Sequence, residues 1–281
     1  MSRVAIVTGA GRGIGAATAA ALAADGWRVL AVDRGGDDPR LPYAMASAAD
    51  LDASVAAANR AADASRGAVA GRPDDAEAGG ERAVRAAVAD AADAEAMAAV
   101  VAEAEAWGEL EAVVANAGVI AGGAPAWELS PEEEDAVVEV CLRGTMVAAR
   151  VGIPALLRRP APRQGRFVAT ASAASLRGLP GLAAYCAAKA GVSGFIAALA
   201  ADLRGTGVTA AAVAPGSTDT AILAESARLY DLEGAPSFAP QQPIERLIDP
   251  AEIAAMVAFL LGPGGAAVTG ATLPVDGGLS I

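Results

Sequence analysis

The sequence predicts one α/β domain of three layers, a doubly wound parallel sheet covered by helices on both faces, with an insertion after the second strand. Three observations carry this. Short β-branched runs alternate with helical stretches of ten or more residues, the pattern that builds parallel sheets. A glycine-rich turn joins the first such run to the first helix. The chain has 281 residues, 54% of them hydrophobic, enough for one substantial core spanning 1–281 without a second domain.

Arg3 to Thr8 is the first strand, Ile14 to Ala24 a helix that stops near Gly26, and Arg28 to Asp33 the second strand. Between that strand and Asp90 lie more than fifty residues, where a single connecting helix needs about half as many. Here Ser47-Ala-Ala-Asp50 caps an Ala-rich helix to about Arg66, and Gly67 to Glu81, rich in Gly, Pro and Asp, is expected as an exposed loop. The insertion is placed at about 35–82. Strand signals return at Glu111 to Ala115, Gly165 to Thr170 and Val208 to Ala214. Ser130-Pro131-Glu132-Glu133 and Asp249-Pro250-Ala251-Glu252 each offer an N-cap, a proline at the first helical position and a glutamate at the third. They place helices at about 131–157 and 250–261. From Ala221 to Leu247 the chain is Ala/Leu-rich, with Tyr230, Phe238 and several prolines. Following the sixth strand, it is expected to be a mobile substrate lid, about 217–248, over an apolar pocket, the alternative being a packed helical excursion at a subunit interface.

Composition removes several kinds of chemistry. There is no histidine, which excludes Ser-His-Asp and Cys-His nucleophilic sites and most zinc sites. Cys141 and Cys186 provide neither a disulfide framework nor metal-ligand spacing, so no metal is expected. A net charge of −12 argues against nucleic-acid and anionic-membrane partners. Met1 to Thr8 runs directly into a strand, and no uninterrupted apolar stretch approaches ~18 residues. A soluble, cytoplasmic protein is expected.

The turn after the first strand is Thr8-Gly9-Ala10-Gly11-Arg12-Gly13-Ile14-Gly15. Glycines between a strand and a helix let backbone approach a pyrophosphate, whose charge the helix N-terminus favours. Asp33, about twenty residues on, ends the second strand where a carboxylate bonds adenosine ribose hydroxyls and repels a 2′-phosphate. The alternative is that Asp33 merely caps its turn, and that Arg12 and Arg34 welcome a phosphate; the carboxylate favours NAD. Tyr185 and Lys189 stand four residues apart, on one face of a helix, with Ser172 thirteen residues before the tyrosine. An ammonium beside a phenol that titrates near pH ~10 favours the phenolate. Tyr185 is therefore the candidate base, Ser172 the hydroxyl that steadies the reacting oxygen, and Lys189 the positioning cation.

Thr8-Gly-x3-Gly-Ile-Gly15, Asn116-Ala117-Gly118, Ser172, Tyr185-x3-Lys189, and Pro215-Gly216 followed by Thr218 and Thr220 together resemble the short-chain dehydrogenase/reductase family over nearly the whole chain. The resemblance implies a Rossmann-type sheet and an NAD-dependent exchange of hydride between a secondary alcohol or ketone, here small and apolar, and nicotinamide. It further implies that Asn116 supports the sheet edge near the adenosine ribose, that Asp90, beside Ala91, contacts the adenine amino group, and that Lys189 bonds the nicotinamide ribose while lowering the tyrosine pKa. Backbone from Pro215 to Thr220 is implied to meet the carboxamide. The C-terminal run Val268 to Gly278 resembles the family's final strand, implying a homotetramer. One departure is Cys141, in Val140-Cys141-Leu142-Arg143-Gly144, where the family carries an asparagine whose backbone carbonyl holds a proton-relay water; a weakened or rearranged relay is expected. Leu41 to Leu51 is similar to a segment of mycofactocin-coupled members, in which NAD stays bound and mycofactocin is the redox partner. Competing readings are an epimerase or dehydratase on the same scaffold and an NAD-sensing binding protein; intact Ser172, Tyr185 and Lys189 argue against the sensor.

Overall fold

The computed structural model describes residues 2–69 and 82–281. Seven strands, β1 Arg3–Thr8, β2 Arg28–Asp33, β3 Val84–Val88, β4 Glu109–Ala115, β5 Arg166–Thr170, β6 Thr209–Pro215 and β7 Thr272–Val275, form one sheet in the order β3-β2-β1-β4-β5-β6-β7. Every neighbouring pair is parallel. The order reverses between β1 and β4, so the crevice for a ligand opens at the carboxyl ends of those strands. The sequence assigns no span to β3, whose Val-Arg-Ala-Ala-Val offers too little apolar bulk to stand out.

The helices are α1 Gly13–Ala24, α2 Ala48–Val69, α3 Ala94–Trp107, α4 Pro131–Val138, α5 Gly144–Arg158, α6 Ala183–Asp202, α7 Ala221–Leu229 and α8 Pro250–Leu261. Successive strand residues point to opposite faces, and both faces are covered. Ile6, Leu30 and Val32 meet residues of α3, α5 and α6, among them Met97, Ile153 and Ile196. Ala5, Val7 and Val29 meet α1, α2 and α8 through Leu22, Leu51 and Ile253. Two helical runs, Pro131–Arg158 and Ala183–Asp202, have the length and composition of a membrane span. Core helices of a parallel sheet share that composition, and Val147, Ile153, Val192 and Ile196 of these runs face the sheet.

Local signals shaped the helix ends. The Asp249 carboxylate accepts the Ala251 amide at 2.8 Å while Glu252 accepts the Asp249 amide at 2.9 Å, a closed capping box. Ser130 accepts the Glu133 amide at 3.1 Å. Ser47 and Asp50 exchange bonds of 2.8 and 3.2 Å at the start of α2. That helix runs to Val69, past the expected end at Arg66 and through Gly67, where a loop was expected; residues 70–81 of that expected loop lie outside the described residues. α2 is a core element, since Leu51, Val55, Ala58 and Ala62 are buried against the α1 side of the sheet. The helix expected at 131–157 is interrupted by a π turn at Glu139–Arg143. Buried Val137, Cys141, Gly144 and Ala148 keep an α-like spacing through it, which is why the apolar pattern conceals the turn.

Candidate active site

The glycine-rich turn lies at the carboxyl end of β1. Gly9 and Gly13 have φ of +67° and +57°, the left-handed region that glycine enters freely. A Cβ on Gly9 would stand 2.8 Å from the Ala117 Cα, and one on Gly15 would run into the Gly9 carbonyl. Arg12 occupies the N-cap of α1 without a side-chain capping bond, leaving the first amides of the helix for an anion. This cradle fits the pyrophosphate of a dinucleotide.

Asp33 takes up the turn-capping role weighed against ribose binding, and it also faces the cleft. Its carboxylate accepts the Gly11 amide at 2.8 Å and the Gly35 amide at 3.3 Å. The two nearby cations are engaged elsewhere. Arg34 pairs with Asp38 at 2.8 Å and with Asp90 at 3.7 Å, and Arg12 donates to the Ala44 carbonyl at 2.9 Å. Asp38 is almost fully buried and is also gripped by Arg40, whose bonds hold its carboxyl far below the usual carboxylate range. Arg40 continues to Glu139 on the π turn.

Asn116 ties three strand ends together. Its amide and that of Ala117 donate to the Thr8 hydroxyl at 3.0 and 3.1 Å, its Nδ2 donates to the Thr8 carbonyl at 3.0 Å, and its Oδ1 accepts the Thr170 hydroxyl at 3.1 Å. Thr170 escaped the sequence reading, and Thr8 entered it only as the first residue of the glycine-rich motif, although a threonine closing two strands was the available signal. A Cβ on Gly118 would lie 3.4 Å from Lys189 Nζ and 3.6 Å from Cys141 Sγ, so the Asn-Ala-Gly turn runs directly past the lysine.

Ser172 follows β5 in extended backbone, and its hydroxyl accepts the Ala174 amide at 3.1 Å. Its side chain also lies near enough to the Tyr185 hydroxyl to favour the ionised phenol. Lys189, one turn along α6, is 3% exposed; Nζ donates to the Thr170 carbonyl at 2.8 Å and sits 5.8 Å from the Tyr185 ring centroid. The expected depression of the phenol pKa by this lysine is not what the structure shows. Burial pushes the Tyr185 phenol above its ordinary value, only partly opposed by the nearby Ser172 side chain, and burial pushes Lys189 down. Desolvation disfavours the charged form of both groups and is the largest cause of each shift.

Cys141 is fully buried, and its Sγ donates to the Val119 carbonyl at 3.2 Å and accepts the Val119 amide at 3.4 Å. The Cys141 carbonyl, which the resemblance assigned to a proton relay, accepts the Thr145 hydroxyl at 2.9 Å. One of its two lone pairs is thus engaged inside the protein.

These groups open on a cleft of about 560 Å³. Of the residues expected at the site, Gly11 and Gly15 stand behind its wall and the rest line it. Ile120, Val140, Leu182 and Leu223 make one side of it apolar, and beside them the segment expected as a lid buries Leu223, Ala227 and Phe238 together. Tyr230 meets Phe238 edge-on at 6.1 Å and donates to the Pro180 carbonyl at 2.7 Å. Buried Gln242 anchors the base of that segment: its Oε1 accepts the Ser217 amide at 2.9 Å and its Nε2 donates to the Arg246 carbonyl at 2.7 Å. Tyr43, Met45 and Ala46 also line the cleft. The Tyr43 hydroxyl accepts the Ile120 amide at 2.9 Å, and its ring packs in the cluster that holds Tyr185 and Cys141. Gln242 was not singled out from sequence, and Tyr43 entered only within the Leu41 to Leu51 resemblance, because each acts on backbone distant in the chain.

A family model described as enoyl-(acyl carrier protein) reductase matches residues 41–280, and one described as short chain dehydrogenase matches residues 3–65. The chain is 36% identical over 278 residues to the short-chain reductase protein NovJ of Streptomyces niveus, covering 98% of this chain and 93% of that protein. A putative ketoacyl reductase of Streptomyces coelicolor is 40% identical over 173 residues, 58% of this chain and 65% of that relative, just under two thirds of its length. Among solved structures, carveol dehydrogenase from Mycobacterium avium in complex with NAD matches with a TM-score of 0.85 and 29% identity. A point variant of actinorhodin polyketide ketoreductase with NADPH matches with a TM-score of 0.82 and 32% identity. Each match covers 99% of this chain and 97% of the other.

Proposed function

Because the chain belongs to the short-chain dehydrogenase/reductase family, as an oxidoreductase acting on alcohol or ketone groups with a nicotinamide cofactor, we propose that it oxidises a small apolar secondary alcohol, or reduces the ketone, with NAD. The observation that carries this reading is the convergence of Ser172, Tyr185 and buried Lys189 on one apolar cleft that continues to the glycine-rich turn. Gly9 to Gly15 would hold the pyrophosphate, Asp33 the adenosine ribose, Asp90 the adenine, Lys189 the nicotinamide ribose, and backbone from Pro215 to Thr220 the carboxamide. Bound there, NAD supplies the hydride acceptor. Tyr185 takes the proton of the substrate hydroxyl, and Ser172 holds the same oxygen in place. Since burial raises the phenol, its ionised form depends on positive charge close by, and Lys189 one helical turn away is the group positioned to supply it.

Tyr185→Phe removes the proton acceptor and leaves the pocket, so turnover of an alcohol panel with an artificial electron acceptor should vanish while NAD still binds. A variant that kept a tenth of the activity would place the base elsewhere. Lys189→Ala should damage both turnover and NAD binding.

We further infer that NAD remains bound between turnovers and is reoxidised by mycofactocin. The similarity of Leu41 to Leu51 motivates this, and the position of that segment supports it: Arg12 holds Ala44 from one side and Tyr43 meets Ile120 on the other. Purified protein should then carry NAD through gel filtration and cycle poorly with free NAD. Protein that purifies empty and turns over rapidly on added NAD removes this inference and leaves the dehydrogenase reading intact. A homotetramer in the cytoplasm completes the reading, to be checked by sedimentation and cell fractionation.

A further inference from the structure

The amino ends of the strands border a second cavity, at the edge of the sheet opposite the cleft. Its volume is about 430 Å³, and its walls come from the starts of β1, β4 and β5, the chain from Arg159 to Gly165, and the end of α8. Arg3, Arg159, Arg163, Arg166, Glu109 and Glu111 line it, four cations against two carboxylates in a chain whose net charge is −12.

Three of the arginines are accounted for within the protein. Arg159 pairs with Glu109 at 2.6 Å, Arg3 stacks over the Trp27 ring at 4.3 Å, and Arg163 donates to the Leu157 carbonyl at 2.9 Å. Arg166 differs. It is 6% exposed, its Nη1 donates to the Gly165 carbonyl at 3.1 Å, and its buried Nε has no partner. Among the described residues no carboxylate stands within ion-pair distance of it, and Glu111 acts on it only through space. A guanidinium cannot shed its proton to escape burial, and buried charges are otherwise paired. Of the two carboxylates in the cavity wall, Glu109 is paired with Arg159, and Glu111, in no ion pair among the described residues, is the one left to repel an anion.

We propose that this cavity is an oxyanion-binding site, in which Arg166, with the neighbouring arginines at the rim, receives the carboxylate or phosphate group of a small molecule. The planar fork of the guanidinium matches both groups, and the place is separate from the catalytic cleft.

The test is calorimetric titration of the full chain with inorganic phosphate and, in a second arm, with acetate. Ionic strength is held constant with sodium chloride, and NAD is kept saturating so that the glycine-rich turn is filled. Saturable binding is expected in at least one arm, and the tighter arm identifies the oxyanion. Arg166→Gln should weaken that binding about tenfold or more, the loss expected for a charge-assisted hydrogen bond, and Glu111→Gln should tighten it. A response no greater than that to chloride in both arms, an adventitious ion only, overturns the proposal, as does affinity unchanged in Arg166→Gln. Should Arg166→Gln fail to fold, Glu111→Gln decides: unchanged or weaker binding overturns it.

Discussion

Replacing Asp33 by Asn should collapse the preference for NAD over NADP. Asn keeps an acceptor for the Gly11 amide, which Asp33 holds at 2.8 Å, so the turn survives and the change is chiefly one of charge. A hydrogen bond to a carboxylate contributes ~1.5–3 kcal/mol, a neutral one ~0.5–1.5. The difference, about 1 kcal/mol or more, weakens NAD binding by roughly fivefold. The effect on NADP is opposite. A like charge about 5 Å from the carboxylate costs ~1 kcal/mol in bulk water and ~3 kcal/mol at a partly screened protein site, so relieving it strengthens NADP binding by roughly tenfold or more. The preference should therefore fall by roughly 50-fold or more. Arg34, held by Asp38 and Asp90, and Arg12, held by Ala44, limit any further gain for the phosphate. Fluorescence or calorimetric titration of cofactor-stripped wild type and variant with both dinucleotides measures this, with thermal midpoints confirming an intact fold. Equal affinities in the wild type, or an unchanged ratio in Asp33→Asn, would refute the assignment of cofactor choice to this carboxylate.

Leu51, 1% exposed on α2, should cost ~2–5 kcal/mol when changed to Ala, read by denaturant unfolding; a loss below ~1 kcal/mol would mean that α2 is a surface elaboration instead of core. Tyr43, whose phenol burial pushes up to about 12, and Tyr185, also raised, keep their protons in the folded protein above the pH at which the unfolded chain loses them. Their contribution is complete below pH ~10 and is lost as pH rises through the folded values, so the thermal midpoint should decline over that window. Tyr43→Phe should flatten part of that decline; an identical pH profile would show that Tyr43 titrates normally.

Some of this protein is written locally. The Asp249 and Ser130 caps, the Gly9 to Gly15 turn and the Tyr185–Lys189 spacing each depend on residues within a few positions of one another, where chain geometry alone decides which groups can meet. The alternation of strand and helix likewise made a doubly wound sheet legible, since a parallel sheet covered on both faces demands it. What remained for tertiary structure rests on contacts between distant segments. The π turn at Glu139–Arg143 left no trace in the apolar spacing, yet it sets Cys141 against Val119, 22 residues away in sequence. Tyr43 reaches Ile120 across 77 residues and Gln242 reaches Ser217 across 25, bonds that no local pattern announces. The sign of the Tyr185 shift shows the same division. Spacing places a lysine one turn from a phenol, but how much water each group loses depends on every element packed around them, and in this fold desolvation is the largest cause of both shifts.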